Sequence, residues 1–124
     1  IFFRDCRDVS LLSCLLMDEW STAFQNVLDV FIKADREAIF HYPVDVGNVD
    51  DYLQVVEQPM DFSTIQKNLQ SSYYSMDDLH EFQRHLELTF NNAILFNRPR
   101  SVYAMEARRM RSMLLMVFRK FLTT

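Results

Sequence analysis

The chain of 124 residues has the length of a single domain, and 49% of its residues are apolar, which excludes an intrinsically disordered chain. One Gly and three Pro are too few for the many turns of an all-β sandwich or barrel, so the composition favours long helices. The formal net charge of −4 argues against strong nonspecific binding of nucleic acid by this domain alone.

Residues 1–17 form an N-terminal extension with features of its own. The run Val9–Met17 has the length of a signal-peptide core, but it lacks a small-residue cleavage site and is shorter than the roughly 20 apolar residues that span a bilayer. We interpret it as a helix or docking segment and predict no membrane association. Cys6 and Cys14 are interpreted as a reduced intracellular thiol pair, with a disulfide as the alternative. Because the chain opens with Ile1 rather than Met, we expect it to be part of a longer protein.

Four stretches carry apolar residues at helical spacing, and they predict helices in chain order. The first runs from about Asp18 to Ala38. The second begins after Asp61, which stands in the position of an N-cap. The third is predicted to open at an N-cap Ser75, and the fourth at Ser101.

The residues that break helices all fall between these four stretches. They are Pro43, Gly47, Pro59 and Pro99. This agreement predicts an all-α, four-helix bundle over residues 18–124.

The connection between the first two predicted helices is unusually long. From about Ile39 to Pro59 the chain has neither helical nor strand period, and loops longer than about 12–15 residues are usually functional or disordered. Its apolar and aromatic residues would not remain in solvent, so we expect the loop to fold back onto the bundle as a pocket wall. Between Arg36 and Lys67 there is no Lys or Arg, and the acidic residues there should attract a cationic peptide. They are Glu37, Asp45, Asp50, Asp51, Glu57 and Asp61.

No constellation of catalytic residues is apparent. His80 and His85 are five residues apart, which rotates them by about 140° around a helix, so they do not chelate one metal ion together. A single Gly excludes a Gly-rich phosphate cradle and a Gly-x-Ser-x-Gly nucleophile elbow. The sequence therefore predicts a protein that is not an enzyme, with no cofactor and no metal site.

Several runs of residues resemble the bromodomain family, and they occur in the family's order over about residues 18–122. These runs are Phe40-x-x-Pro43-Val44-Asp45, Asp51-Tyr52-x-x-Val55-Val56-x-x-Pro59-Met60-Asp61-Phe62-Ser63-Thr64-Ile65, Phe90-Asn91-Asn92-Ala93-Ile94-Leu95-Phe96-Asn97 and Ser101-x-Tyr103-Ala104. The resemblance implies a left-handed four-helix bundle whose first and third loops frame a pocket for acetylated lysine, usually on histone tails. It also implies a reader of histones in chromatin, with a role in transcription regulation, and a nuclear location.

The resemblance also implies roles for particular residues. Asn97 matches the asparagine whose side-chain amide donates a hydrogen bond to the acetyl carbonyl, and Tyr52 matches the tyrosine that reaches the same oxygen through a water molecule. Phe96 flanks the asparagine, where the family usually has a tyrosine. The remaining matched positions form the walls: Phe40, Pro43 and Val44 the shelf beside the acetyl methyl group, Val49 the loop wall and Tyr103 the gatekeeper.

Two alternatives remain open on the sequence alone. Asn97 could simply cap the end of the third helix, because Asn is common there. The domain could also be a scaffolding bundle with a degenerate pocket, which contacts other proteins through the apolar segment Leu11–Met17.

Overall fold

The computed structural model describes the backbone of residues 6–122 and the side chains of residues 19–122. This part of the chain contains the helices α1 (Cys6–Ala34), α2 (Tyr52–Val55), α3 (Phe62–Gln70), α4 (Leu79–Phe96) and α5 (Val102–Leu122), and no β-strand. The four long helices confirm the predicted all-α bundle. None of the described helices has the length and apolar character that a membrane span requires.

Part of the N-terminal extension continues directly into the bundle, because α1 already begins at Cys6. The predictions made for Cys6, Cys14 and the segment Leu11–Met17 concern side chains that lie outside the described residues.

The core lies where the apolar faces of the long helices meet. α5 packs along α4 and α1, and α3 packs against α1 and α4. Phe24 of α1 stacks on Phe82 of α4, with ring centroids 4.4 Å apart and an interplanar angle of 4°. About two helical turns further along, Phe31 of α1 packs on Phe90 of α4, with ring centroids 5.5 Å apart. These aromatic pairs join the first helix to the one that carries the candidate site, and each adds to the stabilisation from buried area.

The N-cap residues predicted for two helices are confirmed, and the one predicted for a third helix is wrong. Asp61 caps α3 by accepting the N–H of Thr64 at 3.1 Å, and Ser101 caps α5 by accepting the N–H of Ala104 at 3.1 Å. The prediction that Ser75 caps the next helix is wrong, because α4 begins at Leu79. The reason is that the Asp78 carboxylate accepts the Ser75 N–H at 2.8 Å and its hydroxyl at 3.0 Å, which closes a turn before the helix.

The end of α1 also differs from the prediction. The helix stops at Ala34 rather than Ala38 because the next residue, Asp35, binds the chain that follows. Its carboxylate, 3% exposed, accepts the backbone N–H of Ile39 at 2.9 Å and of Phe40 at 2.7 Å. Ala38 takes a left-handed conformation with φ 54° to allow this turn. The loop therefore begins earlier than its composition indicates, and it also contains the one-turn helix α2, which the sequence pattern did not reveal.

A buried polar chain links the α3–α4 connection to α4. The Tyr74 hydroxyl lies 2.6 Å from Nδ1 of His85, and Asn68 donates to the same hydroxyl oxygen at 3.3 Å. Burial raises the pKa of Tyr74 to about 12, so the hydroxyl stays protonated at neutral pH. On the other side of the same imidazole, Nε2 lies 3.4 Å from the Glu81 carboxylate. Burial also lowers the pKa of His85.

This arrangement predicts a pH dependence of stability. Because the pKa of His85 is lower in the folded protein, the unfolded chain binds more protons between the two pKa values. The free energy of unfolding should therefore fall as the pH is lowered from about 7 to about 5. His85→Gln should flatten this slope in urea unfolding curves, whereas the same change at the exposed His80 should preserve it. A parental slope in His85→Gln would contradict the assignment.

Candidate functional site

A cavity of about 300 Å³ opens at one end of the bundle, a volume at the low end of the range for small-molecule pockets. Its walls come from the connection between α1 and α3, from the C-terminal half of α4 and from the start of α5. The lining residues are mostly apolar or aromatic: Ile39, Phe40, Tyr42, Val44, Val49, Tyr52, Met60, Asp61, Thr89, Ala93, Phe96, Asn97 and Tyr103.

Hydrogen bonds to the bundle hold the loop wall in place. The N–H of Phe62, at the start of α3, donates to the carbonyl of Phe40 at 2.9 Å. At the other end of the loop, the buried amide of Asn92 on α4 donates to the carbonyl of Gln58 at 2.8 Å. Together with the Asp35 carboxylate, these bonds satisfy backbone groups that an irregular segment cannot pair within itself.

Phe40 belongs to both the core and the cavity. Its side chain is 5% exposed, and its ring meets Phe90 edge-on with centroids 5.5 Å apart. The same residue lines the cavity. The shelf position implied by the resemblance is therefore anchored directly in the core.

Asn97 stands at the end of α4 and lines the cavity. Its backbone N–H donates to the carbonyl of Ala93 at 3.1 Å, and its side-chain amide donates to the same oxygen at 2.9 Å. The side chain thus closes the helix, as the capping alternative expects, and is held in one orientation by doing so. Since the bond uses one of two amide hydrogens, the second hydrogen and the amide oxygen are left for a guest.

Tyr52 belongs to the loop wall of the cavity and carries a hydroxyl group. The side chain is 5% exposed, and its ring meets Phe96 edge-on with centroids 4.8 Å apart. Burial raises the pKa of Tyr52, so its hydroxyl stays protonated at neutral pH and can donate a hydrogen bond.

The structure brings seven of the eight site residues named from the sequence around this one cavity. The exception is Pro43, which is exposed and does not line it. Its neighbours Tyr42 and Val44 both do. Pro43 is thus an exposed residue of the irregular loop between two lining residues.

Six lining residues were not named from the sequence. They are Ile39, Tyr42, Met60, Asp61, Thr89 and Ala93. Helical spacing could have found two of these, because Ala93 and Thr89 precede Asn97 by one and two turns on the same helix face. Tyr42, 72% exposed, lies in an irregular loop where no periodic signal exists.

Comparison with known proteins agrees with this architecture. The family model described as Bromodomain matches residues 24–109. Human Bromodomain and PHD finger-containing protein 3 is 31% identical over 94 residues, which are 76% of this chain and 8% of that protein. Transcription factor GTE9 of Arabidopsis thaliana is 43% identical over 70 residues, 54% of this chain and 10% of that protein. A crystal structure of a Leishmania donovani bromodomain complexed with bromosporine has a TM-score of 0.73 at 31% identity, covering 81% of this chain and 83% of that one.

The chain belongs to the bromodomain family. The matched region contains the loop wall, the whole of α4 and the start of α5, and therefore every element that frames the cavity. Membership supports a module that reads acetylated lysine, and the family is known as a non-catalytic one. This chain spans a tenth or less of the length of the two relatives named above.

The loop wall provides a prediction on stability. Asp35→Ala leaves the backbone N–H groups of Ile39 and Phe40 without their acceptor, and each unsatisfied buried group costs about 1–3 kcal/mol. We expect the free energy of unfolding in urea to drop by about 2 kcal/mol or more.

The matched control is Asp29→Ala, which removes an exposed carboxylate from the preceding helix and should change stability by no more than about 0.5 kcal/mol. Hydrogen exchange at the Phe40 amide should accelerate in Asp35→Ala alone. Equal stability of the two variants would show that Asp35 does not hold the loop.

Proposed function

We propose that this domain is a non-catalytic reader that binds acetylated lysine, on histone tails, in the cavity between the α1–α3 connection and the end of α4. The observation that carries the proposal is the amide of Asn97. It lines the cavity, is fixed by its bond to Ala93 and has one hydrogen left to donate.

The chemistry of the lining favours a neutral guest. Acetylation converts a strongly hydrated ammonium group into an uncharged amide, and placing an unpaired ammonium in an apolar pocket costs several kcal/mol. Asp61 is the one carboxylate among the lining residues, and its oxygens already accept the backbone N–H of Thr64 and the hydroxyls of Thr64 and Ser63. An unmodified lysine would therefore have to displace or share these hydrogen bonds in order to pair with Asp61.

The hydrogen bond from Asn97 orients the guest more than it binds it. One neutral hydrogen bond contributes about 1 kcal/mol net, whereas a carbonyl buried without a donor costs about 1–3 kcal/mol. In the proposed complex, Asn97 donates to the acetyl oxygen and Tyr52 reaches the same oxygen through a water molecule. Phe40, Val44 and Val49 surround the methyl group.

Two aromatic residues define the entrance and the inner wall. Tyr103 is 49% exposed, which suits a gatekeeper at the mouth. Phe96 packs on Tyr52 by its ring edge and offers no hydroxyl, so the loops here are joined by ring packing rather than by a hydrogen bond from this position. We expect an affinity in the tens of micromolar range or weaker, because one modified side chain buries little area.

The relatives support a setting in chromatin. One carries the name transcription factor, and another combines a bromodomain with a PHD finger. From these we propose a nuclear location, other chromatin proteins as partners and a role in transcription regulation. The Leishmania structure, which holds bromosporine, supports a ligand pocket in this fold.

The decisive experiment is calorimetric titration with an acetylated and an unmodified version of one lysine-rich peptide. The parent domain should bind the acetylated form alone. Asn97→Ala should weaken binding by about 10- to 100-fold, and Asn97→Phe should abolish it by filling the cavity. Asn91→Ala, which changes an exposed asparagine of the same helix outside the cavity, should bind as the parent does.

Far-UV circular dichroism of each variant checks that the bundle is intact. Parental affinity in Asn97→Phe would contradict the proposal. Equal binding of the acetylated and unmodified peptides would instead favour the scaffolding role.

A further inference from the structure

The loop side of the cavity mouth carries negative charge. Three lining residues of this loop each have an exposed aspartate as a chain neighbour. The pairs are Val44 with Asp45, Val49 with Asp50, and Tyr52 with Asp51. The chain has no Lys or Arg between Arg36 and Lys67, so no lysine or arginine from this range offsets these carboxylates.

The connection between α4 and α5, which also borders the cavity, carries positive charge. Arg98 directly follows Asn97, and Arg100 lies three residues before the lining residue Tyr103. Both arginines are exposed. They belong to the short connection between α4 and α5, so the cavity lies between an acidic loop and a basic one.

A third guanidinium joins this basic loop. Arg108 of α5 donates from Nη2 to the carbonyl of Pro99 at 2.6 Å. Because Pro99 lies between Arg98 and Arg100 in the chain, this bond brings a third positive charge to the same loop. Because a carbonyl is a neutral partner, the bond fixes the side chain without cancelling its charge.

These arginines are not neutralised by acidic neighbours. Among the side chains of residues 19–122, no carboxylate forms an ion pair with Arg98, Arg100 or Arg108. Elsewhere in the domain the pattern differs, since Arg109 lies 2.7 Å from Glu106. An unpaired guanidinium presents a planar fork that suits a carboxylate or a phosphate.

We propose that the charges at the cavity mouth select the order of charged side chains on the two sides of the acetylated lysine in the peptide. The preferred peptide places a cationic side chain against the acidic loop and an anionic side chain, a carboxylate or a phosphate, against the basic loop. The inference rests on the proposed function, because the acetylated lysine in the cavity sets the position of both flanks. Exposed charge pairs of this kind change affinity modestly but determine orientation and partner choice.

The test uses two acetyl-lysine peptides of identical composition. One has Arg two residues before the acetylated lysine and Glu two residues after it, and the other has the two exchanged. Their net charges are equal, so long-range attraction is the same and any difference reports placement. We expect one order to bind roughly three- to tenfold tighter at low salt, with the difference shrinking in 1 M NaCl.

Two double variants, one in each loop, should reduce the difference in affinity between the two peptides to below about twofold. They are Arg98→Gln with Arg100→Gln, and Asp50→Asn with Asp51→Asn. The matched control, Lys33→Gln with Lys67→Gln, removes two exposed cations from α1 and α3 and should keep the preference. A peptide with phosphoserine in place of Glu separates the two anions: a larger preference identifies phosphate, and an equal one shows that a carboxylate suffices.

The outcomes separate this inference from the proposed function. Failure of every acetylated peptide to bind would contradict the proposed function. Binding of both orders with equal affinity, or an equal loss of preference in the lysine control, would overturn the polarity inference alone.

Discussion

The carboxylate of Asp35 and the amide of Asn92 hold a long irregular segment against the end of a helix bundle. A segment without regular secondary structure cannot pair its own backbone groups, and each group left buried without a partner destabilises the fold. Here the Asp35 carboxylate accepts two N–H groups at the start of the loop, and Asn92 donates to a carbonyl near its end. Between these two points the loop packs against the bundle, and the cavity lies between the loop and α4.

The cavity therefore joins two kinds of structure. Its α4 wall is a regular helix end, whose last turn is closed by two hydrogen bonds from Asn97 to the Ala93 carbonyl. Its loop wall is irregular and supplies varied side chains. A donor in a fixed position facing a shaped apolar wall is the arrangement that distinguishes a neutral amide from an ammonium group. In the proposed complex, the flanking charges lie outside this pocket and act on the peptide around it.

Sequence predicted the features that depend on local chemistry. Asp61 and Ser101 cap their helices as expected, because an N-cap needs only the next few residues. Sequence was wrong at Ser75 and Ala38, where the carboxylates of Asp78 and Asp35 bind backbone N–H groups outside any helix.

The set of residues that line the cavity was predicted less completely. Matching of motifs to the family named Asn97 and Tyr52, whereas Tyr42 depends on the path of an irregular loop, which periodicity does not specify. The same matching placed Pro43 in the shelf beside the acetyl methyl group, but Pro43 is exposed and does not line the cavity. The lining residues of the irregular loop depend on long-range contacts, so only the structure identifies them.

The most direct test of the central claim is a nuclear magnetic resonance titration that follows the side-chain amide of Asn97. Addition of an acetylated peptide should shift this resonance strongly, together with those of the cavity walls, while the unmodified peptide leaves it in place. A shift of equal size with both peptides, or perturbations confined to a surface away from the cavity, would contradict recognition of a neutral carbonyl by this amide.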